Sequence, residues 1–170
     1  NIPKDQVIQI SNFVGFMLDA AGQRNFKRVI LAGHPGKLAK LLRGDFHTHS
    51  AVSKPANDIL IDIIEQHIQN GGQESGVRGQ KTETRLPNAI LNHLKKVSTI
   101  EGIVELLREY KYLSIMDEVA EKVETKVLEF YRDKQPFPTL EVGVILFDMK
   151  GSIIGISNSA QTWLNVTKTK

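Results

Sequence analysis

Residues 29–50, VILAGHPGKLAKLLRGDFHTHS, constrain the fold more than any other part of the chain. The segment begins with a run of apolar, partly β-branched residues, which predicts a buried strand. Gly33 ends this run, and Pro35 suits the first turn of a helix because its missing N–H costs nothing there. Three leucines then follow at helical spacing. The segment therefore predicts a strand, a glycine turn and the start of a helix over residues 35–43, with Gly44 as its C-cap.

The turn between this strand and helix is a candidate anion site. The first backbone N–H groups of the helix, at Gly36, Lys37 and Leu38, are expected to be free, and the helix dipole adds partial positive charge to them. A carboxylate or phosphate binds readily at such a position. The turn is not a nucleotide P-loop, because only two residues separate Gly33 from Gly36 and a leucine follows the lysine. The chain also lacks the G-x-G-x-x-G fingerprint of dinucleotide-binding folds.

Four consecutive polar residues, His47, Thr48, His49 and Ser50, follow this helix after a short loop. Because the helix is short and the chain must return along it, these residues are predicted to lie beside the glycine turn. Histidine titrates near neutral pH, so an acid–base or ligand-binding role is predicted for at least one of these histidines or for His34. The three histidines could in principle meet around a metal, but the chain has no cysteine. A hydrogen-bonded histidine is the commoner arrangement, and we predict no metal site.

Composition excludes several classes of protein. No apolar stretch approaches the ~20 residues of a membrane span. The net charge of +3, from 22 basic and 19 acidic residues, is too small for a nucleic-acid footprint, and an aromatic content of 6% offers few stacking platforms. Zero cysteines exclude disulfides and thiolate sites and are compatible with the cytoplasm. The first residue is Asn, and we expect the chain to be part of a longer protein.

Alternation of strands and helices predicts one layered α/β domain over residues 1–170. Its partly parallel, mixed sheet is flanked by helices and ends in a β-hairpin that turns at Lys150 and Gly151. Strands are predicted at residues 7–10, 27–32, 141–147 and 152–157. Helices are predicted at residues 11–23, 35–43, 58–70, 86–97, 99–112 and 116–133, with a last one near Asn158. Residues 71–85 are predicted to form a mobile loop.

Side-chain patterns add detail to two of these helices. Ser11 is the predicted cap of the first helix, whose apolar face would comprise Phe13, Met17, Ala20 and Ala21. In the helix at residues 116–133, a solvated face is predicted for Glu118, Glu121, Lys122 and Glu124.

An internal echo relates residues 8–20, IQISNFVGFMLDA, to residues 154–166, IGISNSAQTWLNV. Both predict a strand, a Ser-Asn turn and a helix. The simpler explanation is that Ser and Asn commonly cap helices. The alternative is that Ser11 and Asn12 share one ligand crevice with Ser157 and Asn158 at the same edge of the sheet.

The stretch GHPGKLAKLLRGDFHTHS resembles the GH-x-GK…THS signature of the cobalt-precorrin-5B C1-methyltransferases, the CbiD family. Two further stretches are similar to the family, ISNFVGFMLDAA at residues 10–21 and LEVGVILFDMKGSIIGIS at residues 140–157. The matches span nearly the whole chain in the family's order and cover the C-terminal half of a typical member. The chain departs from the family pattern at Pro35, at His47 and at residues 51–55.

The resemblance implies transfer of a methyl group from S-adenosylmethionine to C1 of a cobalt-bound corrinoid precursor in anaerobic cobalamin synthesis. It also implies the N-terminal half of the family as a partner. His49 and His34 are the candidate catalytic residues, and Lys37 and Lys40 are candidates to clamp the acetate and propionate groups of the substrate. Arg43 more simply solubilises its helix. Residues expected to contact cofactor or substrate are Ser11, Asn12, Gly33, Gly36, Lys37, Lys40, His47, Thr48, Ser50, Ser157 and Asn158.

Two other function classes remain open from the sequence. One is a non-catalytic module that binds an anion or small ligand through the same turn. The other is a metal-dependent phosphate-ester hydrolase that uses the histidine cluster.

Overall fold

The computed structural model describes residues 3–69, 88–132 and 140–164. The three strands are β1 (Arg28–Gly33), β2 (Glu141–Phe147) and β3 (Ile153–Ile156). The helices are α1 (Val14–Gln23), α2 (Pro35–Leu38), α3 (Asn57–Gln69), α4 (Asn88–Leu94), α5 (Ile100–Glu109), α6 (Ile115–Arg132) and α7 (Asn158–Leu164). Two 3₁₀ turns lie at Lys4–Gln6 and Ala39–Arg43. The predicted mobile loop at residues 71–85 lies outside the described residues.

The sheet is mixed, as predicted. Its order is β1-β2-β3, with β1 parallel to β2 and β3 antiparallel to β2. The pairing of Gly33 with Leu146 places the end of β1 beside the end of β2. The predicted C-terminal hairpin is confirmed, and Gly151 takes a positive φ of 81° in its turn.

Helices cover both faces of the sheet, which fits the α/β class. The long helix α6 packs on β2 and β3, and α7 packs on β2. Two glycines permit this close approach, because a Cβ on Gly155 would lie 2.3 Å from the carbonyl oxygen of Met116, and one on Gly143 would lie 2.9 Å from the Cβ of Ala160. The fully buried side chains of Val119 and Val123 join the main core on the α6 side.

The chain before α1 differs from the sequence prediction. Residues 7–10 form no strand, and Ser11 does not cap the helix, since it lies in a turn with φ of 49° and α1 begins only at Val14. The buried face of α1 comprises Val14, Gly15, Leu18 and Gly22, whereas Phe13 is 54% exposed. This face meets Phe46 at Gly15 and Tyr131 at Gly22, and the small glycines allow that close contact.

Two further predictions need correction. The predicted helix at residues 35–43 is a single α-turn, α2, that continues as a 3₁₀ turn, although Gly44 ends it with φ of 89° as expected. Glu124 was predicted to lie on the solvated face of α6, but it is buried. It lies against α7, where its carboxylate accepts a hydrogen bond from Ser159 at 2.6 Å. Within the described residues, no helix is both long and apolar enough to cross a membrane.

Candidate functional site

The turn after β1 has the predicted shape but not the predicted free N–H groups. The His34 imidazole caps α2, because its Nδ1 accepts the N–H of Gly36 at 3.1 Å. The His34 carbonyl oxygen accepts the N–H groups of Lys37 and Leu38 at 2.9 and 3.2 Å. All three N–H groups therefore have internal partners, and the prediction of an open anion site at this turn is wrong.

Both ring nitrogens of His34 are engaged. Since Nδ1 accepts a hydrogen bond, it carries no proton, and Nε2 donates to the Glu101 carboxylate of α5 at 3.0 Å. His34 thus joins the β1–α2 turn to α5. This geometry suits a positioning role better than proton transfer.

Lys37, Asn12 and Thr48 form the centre of a polar cluster. The Nζ of Lys37 donates to Oδ1 of Asn12 and approaches the carbonyl oxygen of Ser11 at 3.5 Å. The Thr48 hydroxyl approaches the same Asn12 oxygen at 3.5 Å, and the Thr48 N–H donates to the Asn12 carbonyl at 3.0 Å. Asn12 therefore links the turn after β1 to the His-Thr-His-Ser segment, two parts of the chain that were predicted to meet.

Aromatic rings lie beside this cluster, which we call the Asn12 cluster (Ser11, Asn12, Lys37 and Thr48). The imidazole of His47 stacks on the phenyl ring of Phe13 with centroids 5.0 Å apart and planes inclined by 15°. The His49 ring lies 6.3 Å from the His47 ring. Phe13, His47 and His49 are all exposed, so the Asn12 cluster is flanked by accessible ring faces.

A local hydrogen bond sets the tautomer of the His49 ring. Its Nδ1 accepts the N–H of Ala51 at 3.1 Å, so the proton of the neutral ring lies on Nε2. Among the described residues, no hydrogen bond to Nε2 is present. An exposed imidazole with one nitrogen held and the other accessible is suited to proton transfer or to donation toward a ligand.

Lys40 has a different role from the predicted clamp. Its side chain is 7% exposed, and its Nζ donates to the carbonyl oxygens of Thr48 and Ser53 at 3.0 and 3.1 Å. Lys40 thereby fixes the segment that carries His47, His49 and the exposed Ser50. Its ammonium is therefore engaged by backbone carbonyls within the fold.

Ser157 and Asn158 are not brought to the Asn12 cluster. Ser157 is fully buried, and its hydroxyl accepts the N–H of Val144 at 2.9 Å. The Asn158 N–H donates to the Glu121 carboxylate at 2.5 Å. Since β3 runs antiparallel to β2, this Ser-Asn turn lies level with Val144, back from the edge at which β1 and β2 end. The predicted shared crevice is therefore not formed, and the echo reflects similar local sequence.

No group of three or more His, Cys, Asp or Glu side chains converges as a metal site in residues 3–69, 88–132 and 140–164. A separate open cleft of about 440 Å³ lies between α3 and α6. Its lining includes the charged residues Asp62, Lys122 and Lys126. It shares no lining residue with the Asn12 cluster.

Comparison with known proteins supports the resemblance to CbiD. A model of the CbiD C-terminal domain matches residues 81–158. A cobalt-precorrin-5B C(1)-methyltransferase from Methanococcus vannielii is 34% identical over 155 residues, which are 91% of this chain and 36% of that protein. The chain is similar to the CbiD proteins over most of its own length. Proteins of the same name from Edwardsiella ictaluri and Clostridioides difficile are 31% and 26% identical over 86% and 98% of this chain.

The chain spans only about a third of the length of these CbiD relatives, from 34% to 36% of each. No solved structure matches it. The CbiD-like GH-x-GK and THS motifs, separate in sequence, meet in this structure through Asn12.

Phe13 is the residue of this region that sequence reasoning missed. Its helical spacing with Met17 indicated a core position, but the turn at Ser11 directs it to His47. Its position directly after the Ser-Asn pair was the only available signal.

Proposed function

We propose that this chain supplies the corrinoid-binding surface of a cobalt-precorrin-5B C1-methyltransferase. The observation that carries the proposal is the Asn12 cluster, which joins the two CbiD-like motifs beside exposed aromatic rings. The names of the relatives supply the reaction and the substrate class.

The chemistry of a corrinoid precursor matches this surface. Such a substrate is a flat, largely apolar macrocycle with acetate and propionate arms. The stacked rings of Phe13 and His47 offer an apolar face to the macrocycle. Lys37 can pair with a carboxylate arm, because an ammonium has three N–H groups and only two contacts, to Asn12 and Ser11, are present among the described residues.

His49 is the residue we assign to proton transfer or to orientation of the reacting ring. Its accessible Nε2 lies on the same exposed segment as His47. His34 is assigned to positioning, since it holds the β1–α2 turn against Glu101. Binding energy from the arms and the macrocycle would then place C1 in line with the methyl donor.

S-adenosylmethionine is the proposed donor and supplies an activated methyl group when bound. The described residues do not fit a site for it at the glycine turn, because His34 already accepts from Gly36, Lys37 and Leu38. We therefore assign the donor site to the part of the intact protein that lies outside this chain.

The test uses the intact CbiD protein that contains this sequence, with Lys37→Ala and His49→Ala. Methyl transfer from S-adenosylmethionine to the cobalt-precorrin, followed by mass spectrometry, should fall at least roughly tenfold, which corresponds to about 1.4 kcal/mol of transition-state stabilisation. Both positions are exposed, so folding should change by less than about 0.5 kcal/mol.

Lys96→Ala is the matched control, because Lys96 is also exposed but follows α4, far along the chain from the Asn12 cluster. It should leave the rate unchanged. Full activity of folded Lys37→Ala and His49→Ala proteins would overturn the proposal, and corrinoid binding without any methyl transfer by the unmodified protein would indicate a binding module.

A further inference from the structure

The strand β1 is more exposed than its sequence predicts. Its residues RVILAG are mostly apolar, and a buried strand was expected, yet Leu31 alone among its six residues is buried. By contrast, β2 is buried continuously over residues 142–146. Parallel sheets are normally covered on both faces, so a parallel strand with exposed apolar residues indicates a missing neighbour.

The outer edge of β1 is available for hydrogen bonding. The Glu141 N–H donates to the Lys27 carbonyl at 2.8 Å, which fixes the alternation of the parallel ladder. Residues 29, 31 and 33 therefore face β2, whereas the N–H and C=O groups of Ile30 and Ala32 point to the other side. Among the described residues, β1 has no strand on that side. Within the described residues the sheet has three strands, fewer than the usual four to six.

Exposed apolar side chains lie on the elements that precede β1 in the chain. The helix α1 runs antiparallel to β1, since a short loop joins their near ends and Lys37, just after β1, bonds to Asn12, just before α1. On α1, Phe16 is 71% exposed, and in the segment that leads into it Val7 and Ile8 are each 63% exposed. Any chain that precedes residue 3 in a longer protein arrives next to these residues.

We propose that the N-terminal region of the intact CbiD protein docks here, adding a strand to the outer edge of β1 and covering Val7, Ile8 and Phe16. The family match is to a C-terminal domain, and the relatives carry about two thirds of their length outside this chain, enough to supply such a strand. The inference goes beyond methyl transfer and rests on the similarity to CbiD and on the exposure of β1.

Amide hydrogen exchange of the intact protein, resolved to single residues, tests the added strand. The N–H groups of Ile30 and Ala32 should exchange roughly a hundredfold or more slower than those of an unstructured chain. The N–H of Leu31, which bonds to β2, should be protected in the same way and is the internal reference. Fast exchange at Ile30 and Ala32 with slow exchange at Leu31 would show an open edge and overturn the proposal.

A photo-crosslinking phenylalanine analogue at position 16 of the intact protein identifies the occupant. Crosslinks within one polypeptide, to residues that precede this chain, are expected. Met149, which is 75% exposed in the β2–β3 turn, is the matched control position and should give none of these crosslinks. Crosslinks between two copies, or equal yields at the two positions, would contradict the proposal. Both measurements are independent of enzymatic activity, so loss of the proposed function would not affect them.

Discussion

Two lysines three residues apart show how position decides the role of a residue. Lys37 is exposed and bonds to Asn12, whereas Lys40 is 7% exposed and bonds to two backbone carbonyls. A buried ammonium is tolerated only where hydrogen bonds replace its hydration. For Lys40, the Thr48 and Ser53 carbonyls provide those bonds. The same residue type thus lies in an exposed polar cluster at one position and fixes a buried loop at the other.

We expect Lys40→Met to destabilise the protein, because it leaves two buried carbonyl oxygens without a donor. The cost should be about 1–3 kcal/mol, the range for a buried group left unsatisfied. Thermal or urea unfolding followed by circular dichroism measures it, with exposed Lys96→Met as the control. A Lys40→Met protein as stable as the control would show that the loop does not depend on this ammonium.

Asp148 is the residue at which pH should act on the hairpin. Burial raises the pKa of its carboxyl, but the N–H groups of Ser152 and Lys150 and the Arg108 guanidinium outweigh this effect and hold the pKa below its ordinary value of 3.8. Its Oδ1 accepts both N–H groups, at 2.9 Å from Lys150 and 2.8 Å from Ser152, and its Oδ2 accepts from Arg108 at 2.7 Å. A depressed folded-state pKa contributes stability above the unfolded value, and this is lost as the pH falls through the folded pKa.

Asp148→Asn should therefore lower stability near neutral pH and flatten its decline below about pH 4. Asn retains Oδ1 for the two N–H groups but presents an amide to Arg108, so the hairpin turn is kept while the ion pair is lost. Thermal midpoints measured across the acid range test this. If the thermal midpoints of the two proteins fell equally with decreasing pH, Asp148 would not be the group whose protonation destabilises the protein in acid.

At the scale of elements, close packing of helices on the sheet depends on glycine. Gly155 of β3 lies against the backbone of Met116 at the start of α6, and Gly143 of β2 lies against Ala160 of α7. The two helices approach opposite faces of the sheet, so each glycine permits the close packing of one helix. The sequence shows both glycines, but their spacing does not show which helix each one meets.

Gly155→Ala should destabilise the protein by about 1–3 kcal/mol, the range for overpacking, because the new Cβ would lie 2.3 Å from a backbone oxygen that cannot move alone. Ser152→Ala, at an exposed position just before the same strand, should change stability by less than about 0.5 kcal/mol. Urea midpoints of the two variants provide the comparison. Equal midpoints would mean that α6 and β3 can separate at no cost.

At the scale of the whole molecule, the two ligands of the proposed reaction are assigned to different parts of the protein. If the Asn12 cluster faces the corrinoid and the donor binds elsewhere, Lys37→Ala should weaken corrinoid binding roughly tenfold, or about 1.4 kcal/mol. The Kd for S-adenosylhomocysteine, the product that the donor leaves after methyl transfer, should stay within about twofold. Isothermal titration calorimetry on the intact protein measures both, and equal losses for the two ligands would place the donor at this turn.

The sequence by itself determined most of the local elements and the resemblance to CbiD. The strand predicted at residues 27–32 is found at Arg28–Gly33, and the hairpin, Gly44 as C-cap and the helix predicted at residues 116–133 are also present. These features follow from apolar periodicity and turn residues, which act between neighbours in the chain. The meeting of the GH-x-GK and THS motifs was also predictable, because the intervening helix is short.

Only the tertiary structure decided how polar groups are paired. The N–H groups of the glycine turn donate to His34. The His34 ring is in turn hydrogen-bonded to Glu101, 67 residues further along the chain. Asn158 is likewise paired with Glu121 of α6 rather than left for a ligand. A sequence shows which donors and acceptors exist, but a buried or half-buried group takes the partner that packing brings to it. That partner depends on contacts between distant segments, which local patterns do not specify.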